Sequence, residues 1–172
     1  MMVSYLGMMS ALLCSCASEP IKVSNPTPDV TPSVLASIET TRVKANGFSI
    51  VVPKSFKNAP WQGDDSSGWT FKSKDMTVDS ESGIYAPDAK NYGYLNYHLD
   101  QRQIDGELVQ IAEYEYPTPR ELIDPSKNKC VVAYFPAVDE RHSALHVSAC
   151  FTDWNDRYLA TQIIESIEFE RV

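Results

Sequence analysis

Two short segments near the carboxyl end, Cys130 to Phe135 and Leu145 to Phe151, constrain the fold more than any other part of the sequence. If they pair as antiparallel strands with Cys130 facing Cys150, one face of the pair is wholly apolar. A shift of one residue would move every side chain to the opposite face and separate the two cysteines, so a single register is favoured. The apolar face then holds Val131, Ala133, Phe135, Leu145, Val147 and Ala149.

The same register brings the two cysteine sulfurs within bonding reach. Directly opposed residues in a non-hydrogen-bonded antiparallel pair have Cα atoms about 4.5 Å apart, a separation that a disulfide can bridge. The sequence therefore predicts a disulfide between Cys130 and Cys150, which an oxidising, exported compartment permits. Closing a loop of this size is expected to contribute about 3 kcal/mol to the free energy of unfolding.

Two further hairpins are marked by residue pairs that favour the positive φ angles of two-residue turns. Asn46-Gly47 lies between Thr40–Ala45 and Phe48–Val52, and Asp105-Gly106 lies between Tyr94–Ile104 and Glu107–Tyr116. Short strands are also predicted over Trp69–Ser73 and Met76–Tyr85, with Gly63–Gly68 as a loop.

The register of the Asp105-Gly106 hairpin follows if its turn has two residues. Tyr97 would then face Tyr114, and His98 would face Glu113 on the opposite side of the hairpin. The side with Tyr97 is predicted to be mostly apolar, and it would carry Leu95, Tyr97, Leu99, Leu108, Ala112, Tyr114 and Tyr116.

The end of the chain has a helical pattern. Between Asp156 and Ile167, apolar residues recur at the spacing of one helix face, and a short strand over Glu168–Val172 follows. Antiparallel strands together with this helix predict an α+β fold class, in which a C-terminal helix packs on one face of an antiparallel β-sheet. The apolar stripe consists of Leu159, Ala160, Ile163, Ile164 and Ile167.

Three segments resemble proteins with the PsbP-like α/β/α sandwich. They are an early GFSIVVPKSF, an aromatic strand after a tryptophan-containing loop, and a closing LATQIIESIEF, which together cover Gly47–Phe71 and Leu159–Phe169. Members of this family mostly bind or assist other proteins, so the resemblance implies that fold and a binding role. It carries no functional residue over to this chain, because the family has no shared active-site motif to match.

The amino-terminal segment is typical of an exported protein. Val3–Leu13 is apolar or small and carries no charge. It is shorter than the roughly 20 residues that span a bilayer and has the length of a signal-peptide hydrophobic region. A signal peptide normally has Lys or Arg before this region, and none is present here. A cytosolic protein with an apolar amino terminus is the alternative.

The sequence Leu13-Cys14-Ser15-Cys16 resembles the bacterial lipobox. In that motif an aliphatic residue stands three positions before the modified cysteine, and a small residue stands immediately before it. Leu13 and Ser15 fill those places for Cys16, whereas Cys14 is preceded by the larger Leu13. The resemblance implies a diacylglycerol thioether on Cys16 and cleavage after Ser15. Several acyl chains would hold the protein at a membrane much better than one.

The predicted organisation has three parts. Residues 1–15 are a signal peptide, residues 16–37 a lipidated tether rich in Pro, Ser and Thr, and residues 38–172 a globular domain. The tether composition favours an extended, solvated chain. Because Ala17 rather than Asp follows Cys16, analogy with enterobacterial sorting places the protein in the cell envelope, at the outer membrane and facing the periplasm.

The net charge of −8 excludes some partners. Binding to nucleic-acid phosphates needs clustered Lys and Arg, and docking on anionic lipid needs a basic patch. The predicted partners are the membrane, through the lipid anchor, and an unidentified envelope protein or small ligand, with no nucleic acid.

No catalytic residue, cofactor or metal is predicted. The chain lacks the nucleophile-elbow, P-loop, dinucleotide-binding and zinc-protease motifs. His98 is interpreted as an ion-pair partner of Glu113, His142 as a loop residue, and His146 as a cross-strand neighbour of Tyr134. Acidic residues that lack the spacing of a calcium loop are Asp64, Asp65, Asp75, Asp79 and Glu81.

Four tyrosines form the predicted binding surface: Tyr85, Tyr92, Tyr94 and Tyr97. Exposed tyrosines stack on sugars or anchor protein interfaces, and core or edge-strand packing is the alternative for each. The predicted function is that of a membrane-anchored extracytoplasmic lipoprotein, a binding or accessory module of the envelope and not an enzyme. A small extracytoplasmic hydrolase with an unfamiliar site is the alternative.

Overall fold

The computed structural model describes residues 33–45, 47–83, 86–117, 125–136 and 143–170. Among these residues the chain forms ten β-strands and one α-helix, α1, over Arg157–Glu165. Short 3-10 helices cover Leu35–Ser37 and Trp154–Asp156. The strands are β1 Thr40–Lys44, β2 Phe48–Pro53, β3 Lys57–Gln62, β4 Ser66–Lys72, β5 Met76–Gly83, β6 Leu95–Ile104, β7 Glu107–Glu115, β8 Lys129–Phe135, β9 Leu145–Phe151 and β10 Glu168–Phe169.

The strands make two antiparallel sheets. The large sheet has seven strands in the order β3-β4-β5-β9-β8-β7-β6, and the small sheet has the order β1-β2-β10. Helix α1 contacts β8 and β9 of the large sheet and β2 of the small one. In the part of the chain that the structure describes, no helix has the length and apolar character needed to cross a membrane.

The α+β fold class expected from the sequence is wrong, and so is the sandwich arrangement attached to it. The described residues are mostly strand, in two sheets, and the α-helix has only nine residues. The helical pattern is real, with Ala160, Ile163 and Ile164 buried. It accounts for only one short helix beside two sheets. The first hairpin and the last strand form a separate small sheet, so the fold is a β structure with one short helix.

The main core lies between the two sheets. One face of the large sheet, here called the inner face, packs against β2 and α1. In β2, alternation places Phe48, Ile50 and Val52 together towards this core, and all three are buried. The inner face contributes Phe71, Met76, Val78, Ile104, Val109, Ile111, Val131, Ala133, Phe135, Leu145, Val147, Ala149 and Phe151.

The register predicted for the two cysteine strands is confirmed. Cys130 faces Cys150, and Phe135 faces Leu145. A disulfide joins the two cysteines across a Cα–Cα distance of 4.1 Å. The six predicted apolar residues all belong to the main core. The disulfide therefore lies on the opposite side of the large sheet, here called the outer face.

Both glycine-marked hairpins are confirmed as strand pairs. In the first, β1 and β2 pair with Thr41 opposite Val52, and Asn46 of the turn lies outside the described residues. In the second, Asp105 and Gly106 have φ angles of 48° and 86°, as expected for a turn with two left-handed residues. His98 faces Glu113, as predicted.

One part of the second hairpin was predicted incorrectly. The register shifts between Leu95 and His98, so Tyr97 is not simply opposed to Tyr114. Asn96 has a φ of 51° at this irregularity. Asparagine is among the few residues that adopt left-handed geometry readily, and an extra residue of this kind is typical of a β-bulge.

The apolar side expected for this hairpin does not face the main core. Val109 and Ile111 of the other side are buried there, whereas Leu99 and Leu108 are 44% and 54% exposed on the outer face. The alternation was correct, but both sides carry apolar residues. The sequence could not show which side the rest of the chain would cover.

Strand β3 was missed, and the loop expected over Gly63–Gly68 is wrong because β4 begins at Ser66. β3 contains Pro60 and is mostly exposed, which an edge strand tolerates. Gly68 is a packing requirement: a Cβ atom there would lie 1.7 Å from the Ser80 carbonyl oxygen.

Candidate functional site

A second, smaller core lies on the outer face of the large sheet. Its buried residues are Ala89, Ala112, Tyr114, Cys130, Val132 and Cys150, and Tyr94, Tyr97, Tyr116 and Tyr134 pack against them. Residues 86–94, which precede β6, cover this region and insert Ala89. The disulfide and the strands thus form a firm base for a group of aromatic side chains.

Four of these side chains form what we call the tyrosine cluster: Tyr92, Tyr94, Tyr114 and Tyr116. The rings of Tyr94 and Tyr114 are stacked, with centroids 3.9 Å apart and planes within 8° of each other. Tyr116 meets both rings edge-on, at 5.2 and 5.3 Å, and Tyr92 meets Tyr94 edge-on at 6.2 Å. Stacked and edge-to-face pairs are the favoured arrangements of aromatic rings, so the cluster holds its own shape.

Local hydrogen bonds position the segment that carries Tyr92 and Tyr94. The Asn91 side-chain oxygen accepts hydrogen bonds from the backbone N–H groups of Gly93 and Tyr94, each at 2.9 Å. This is the usual role of asparagine in a turn, and Gly93 supplies a φ of 88°. The Tyr97 hydroxyl donates to the Ala89 carbonyl oxygen at 2.6 Å, which ties the segment to β6.

A carboxylate stands at the edge of the cluster. Asp88 accepts a hydrogen bond of 2.7 Å from the Tyr92 hydroxyl and forms an ion pair of 2.5 Å with the Lys90 ammonium. The hydrogen bond from Lys90, followed by that from Tyr92, lowers the pKa of the Asp88 carboxyl. The same carboxylate raises the pKa of Tyr92. At neutral pH Asp88 is therefore ionised and the Tyr92 hydroxyl is protonated.

A cavity of about 150 Å³ lies within this group. Residues 87–94 and the strands of the large sheet both contribute to its wall. Its size is close to that of a protein cavity that accepts benzene, so it suits one ring or one side chain. The lining residues are Pro87, Asp88, Ala89, Lys90, Tyr92, Tyr94, Tyr114, Tyr116, Val132 and His146.

The two titratable groups deepest in the wall are uncharged at neutral pH. Burial lowers the pKa of His146 to about 4, and burial raises the pKa of Tyr114 above its usual value. Among the described lining residues, the wall near the sheet is therefore neutral and polarisable, and the charged side chains are Asp88 and Lys90 at the rim. Such a wall favours an uncharged, apolar or aromatic group over a free ion.

The structure brings together only part of the predicted site. Tyr92 and Tyr94 lie in the cluster, Tyr97 packs against it from β6, and Tyr85 lies outside the described residues. Sequence reasoning missed Tyr114 and Tyr116. Their spacing of two residues at the end of β7 was the available signal, since the hairpin returns that end of the strand to the start of β6.

The other candidate residues are arranged only partly as predicted. Glu113 does face His98, but its carboxylate contacts Arg157 of α1 at 3.3 Å. His146 faces Tyr134, as predicted, and is half-buried. Cys16 and His142 lie outside the described residues. Within the residues that are described, no group of three His, Cys, Asp or Glu side chains has a geometry suited to a metal ion.

The chain matches no protein family, and neither a curated protein nor a solved structure is significantly similar to it. Its function is therefore inferred from the geometry and chemistry of its own residues.

Proposed function

We propose that this protein is a lipid-anchored, extracytoplasmic binding module of the bacterial cell envelope, and that the tyrosine cluster is its binding surface. The observation that supports the binding role is the aromatic cavity on the outer face. Concave, largely apolar sites with a few fixed polar groups are the usual form of ligand pockets.

The cluster is preorganised, which favours binding. Ring packing orders Tyr94 and Tyr116 before any partner arrives, and Asp88 orients the Tyr92 hydroxyl. Tyrosine offers a large contact area with few rotatable bonds, so little conformational entropy is lost on association. The ligand is a small apolar or aromatic group, presented by an envelope protein or by a free small molecule.

The anchor and the location rest on the amino-terminal sequence. The resemblance of Leu13-Cys14-Ser15-Cys16 to the lipobox supports lipidation at Cys16, and Ala17 favours the outer membrane, facing the periplasm. The Cys130–Cys150 disulfide agrees with such a location, since stable disulfides form mainly in oxidising compartments.

Photo-crosslinking in intact cells tests the binding role. A photoreactive phenylalanine analogue is placed at Tyr92, which is 59% exposed in the cluster, or at Tyr158, which is 50% exposed on α1 and serves as the matched control. We expect a discrete cross-linked product at position 92 only, and its loss in the Tyr94→Ala background. Equal products at both positions, or a product that survives Tyr94→Ala, would contradict the proposal. Turnover of substrates by the purified protein without a partner would favour the hydrolase.

The anchor is tested with two matched cysteine variants. Cys16→Ser should abolish incorporation of labelled palmitate and release the protein from the membrane fraction. Cys14→Ser, two residues away in the same segment, should be labelled and retained like the unaltered protein. Palmitate labelling of Cys16→Ser would exclude this anchor.

A further inference from the structure

A second cavity lies on the inner face of the large sheet, opposite the face that carries the tyrosine cluster. It is found where the small sheet meets the start of β4, the end of β5 and the start of β9. Its volume is about 390 Å³, within the usual range of small-molecule sites. We call it the polar cleft. The described lining residues are Gly47, Phe48, Gln62, Asp65, Ser66, Ser67, Ser82, Gly83, Ser143, Leu145 and Phe169.

One part of the polar cleft is apolar and well supported. Phe48 and Leu145 belong to the main core, and Phe169 packs edge-on against Phe135 with centroids 5.4 Å apart. The Phe169 backbone N–H donates a hydrogen bond of 2.8 Å to Asp105. These contacts hold β10 in place. Because Phe48 and Leu145 are only 2% and 1% exposed, the half-buried Phe169 ring supplies the apolar surface that a ligand can contact.

The other part is rich in uncharged hydrogen-bonding groups. Ser67, Ser82 and Ser143 line it, together with Gln62 and Asp65. Ser67 and Ser82 face each other across β4 and β5 on the inner face, whereas the side chain of Ser66, the preceding strand residue, points to the opposite face. The Gln62 Nε2 group donates to the carbonyl oxygens of Gly63 and Ser66, at 3.1 and 3.2 Å. This leaves the Gln62 side-chain carbonyl as an acceptor. Each serine hydroxyl both donates and accepts.

The backbone builds this arrangement of polar groups. A Cβ atom at Gly83 would lie 2.7 Å from the Ser66 Cβ and 2.8 Å from the Asp65 carbonyl oxygen. Only glycine therefore lets the turn at Asp65 and Ser66 close against the end of β5. That contact keeps the start of β4 close to the end of β5, where Ser67 faces Ser82.

The charge of the cleft restricts the ligand class. The described lining residues include no Lys, Arg or His, and their one ionisable group is the Asp65 carboxyl. Phosphates, sulfates and carboxylates normally need a cation or several backbone N–H donors. The net charge of −8 further disfavours an anion. A neutral ligand with many hydroxyl or amide groups fits this wall best.

We propose that the polar cleft binds a neutral saccharide. The hydroxyl and amide groups of the sugar exchange hydrogen bonds with the serines, Gln62 and Asp65, while the C–H face of the ring packs on Phe169. This site and its ligand class are separate from those of the tyrosine cluster, so either can fail alone.

Calorimetric titration of the full-length protein with N-acetylglucosamine trisaccharide, with maltotriose as a second neutral probe, tests the proposal. At least one neutral saccharide should bind. Ser82→Ala and Asp65→Ala should each weaken that binding about 3- to 10-fold, the usual effect of one lost hydrogen bond. Ser148→Ala is the matched control, because Ser148 lies on β9 outside the cleft, and it should bind with unchanged affinity.

Two further measurements keep the test decisive. Glucose 6-phosphate should bind at least about tenfold more weakly than the neutral probe, since an anion meets Asp65 without a cation. Ser143→Leu, at the exposed margin of the cleft, should block binding while leaving the thermal midpoint unchanged. The proposal is overturned if no neutral saccharide binds at about 10 mM, if the anion binds best, or if Ser82→Ala and Ser148→Ala behave alike.

Discussion

The two faces of the large sheet contain neighbouring residues of the same strands, yet they differ in chemistry. Along β8, Val131, Ala133 and Phe135 point into the main core, while Cys130, Val132 and Tyr134 point to the outer face. The inner face is aliphatic and phenyl in character and is covered by a second sheet and a helix. The outer face carries tyrosines and a disulfide and, among the described residues, is only partly covered, by residues 86–94.

The two faces therefore have different roles: the inner face stabilises the fold, and the outer face is suited to contact a partner. Burial of apolar area contributes about 25 cal/mol per Å², so the closed inner face supplies most of the folding free energy. The outer face keeps polar ring tips at the surface, and its smaller core is held together by ring packing and one covalent bond. A surface of this kind can contact a partner without exposing the main core.

The largest effect is expected from a cavity in the inner face. Phe135→Ala removes a fully buried ring and should lower the free energy of unfolding by about 3–5 kcal/mol, measured by urea denaturation. Tyr134→Ala, at the adjacent residue but on the outer face, is the matched control and should cost distinctly less. Similar losses for both variants would refute the division of roles between the faces.

Removal of the disulfide should have the next largest effect. Cys130→Ala combined with Cys150→Ala should lower the free energy of unfolding by about 3 kcal/mol, because the unfolded chain regains loop entropy. Reducing agent should destabilise the unaltered protein by a similar amount and leave the double variant unchanged. Full stability of the double variant would show that strand pairing alone secures the outer face.

His146 should make stability depend on pH. Its pKa is lowered to about 4 in the folded protein from an ordinary value of 6.5, so between these values the unfolded chain binds a proton that the folded protein does not. The contribution of neutral His146 to the free energy of unfolding should therefore be fully present above pH 6.5 and decrease as the pH falls towards 4. The free energy of unfolding should fall by about 1–2 kcal/mol over this range. The effect is smaller than for a fully buried imidazole, because part of the His146 side chain reaches solvent.

The matched control for His146 is His98, which is exposed. His146→Gln should flatten the dependence of the unfolding midpoint on pH over this range more than His98→Gln does, because only His146 of the two lies in the cavity wall. A curve of the same shape in both variants would mean that the outer face does not shield His146 from water.

The smallest effect is expected at the uncovered part of the outer face. Leu108→Ser replaces a side chain that is 54% exposed, and the free energy of unfolding should change by no more than about 0.5 kcal/mol. Thermal denaturation checks this. A loss comparable to that of Phe135→Ala would reveal that this end of β7 is covered by another part of the chain.

Sequence patterns predicted pairing better than layering. The register at Cys130 and Cys150 followed from alternation, because the pairing that gives one apolar face also aligns the two cysteines. The Asp105-Gly106 turn followed from the local backbone preference of these two residues. Neither pattern contains information about distant segments. The separation of the sheets, and the covering of the inner face rather than the outer one, depend on contacts between residues far apart in the chain.

The site was predicted in part for the same reason. Tyr92 and Tyr94 stood out because they are close together in a polar stretch. Tyr114 and Tyr116 join them only through the hairpin, and the bulge at Asn96 changes the register at that point. The polar cleft gathers residues from both sheets, and single-sequence patterns give no signal for such a convergence.

The disulfide also has a mechanical consequence. It joins neighbouring strands at the centre of the large sheet, and its two ends are 20 positions apart in the sequence. When the chain is pulled from its termini, the force passes through the sulfur atoms and bypasses the intervening segment. Roughly 70 Å of chain, at about 3.5 Å per residue, would stay folded back under load and extend only after reduction. In single-molecule pulling, the chemical reductant would therefore set the unfolded length of this protein.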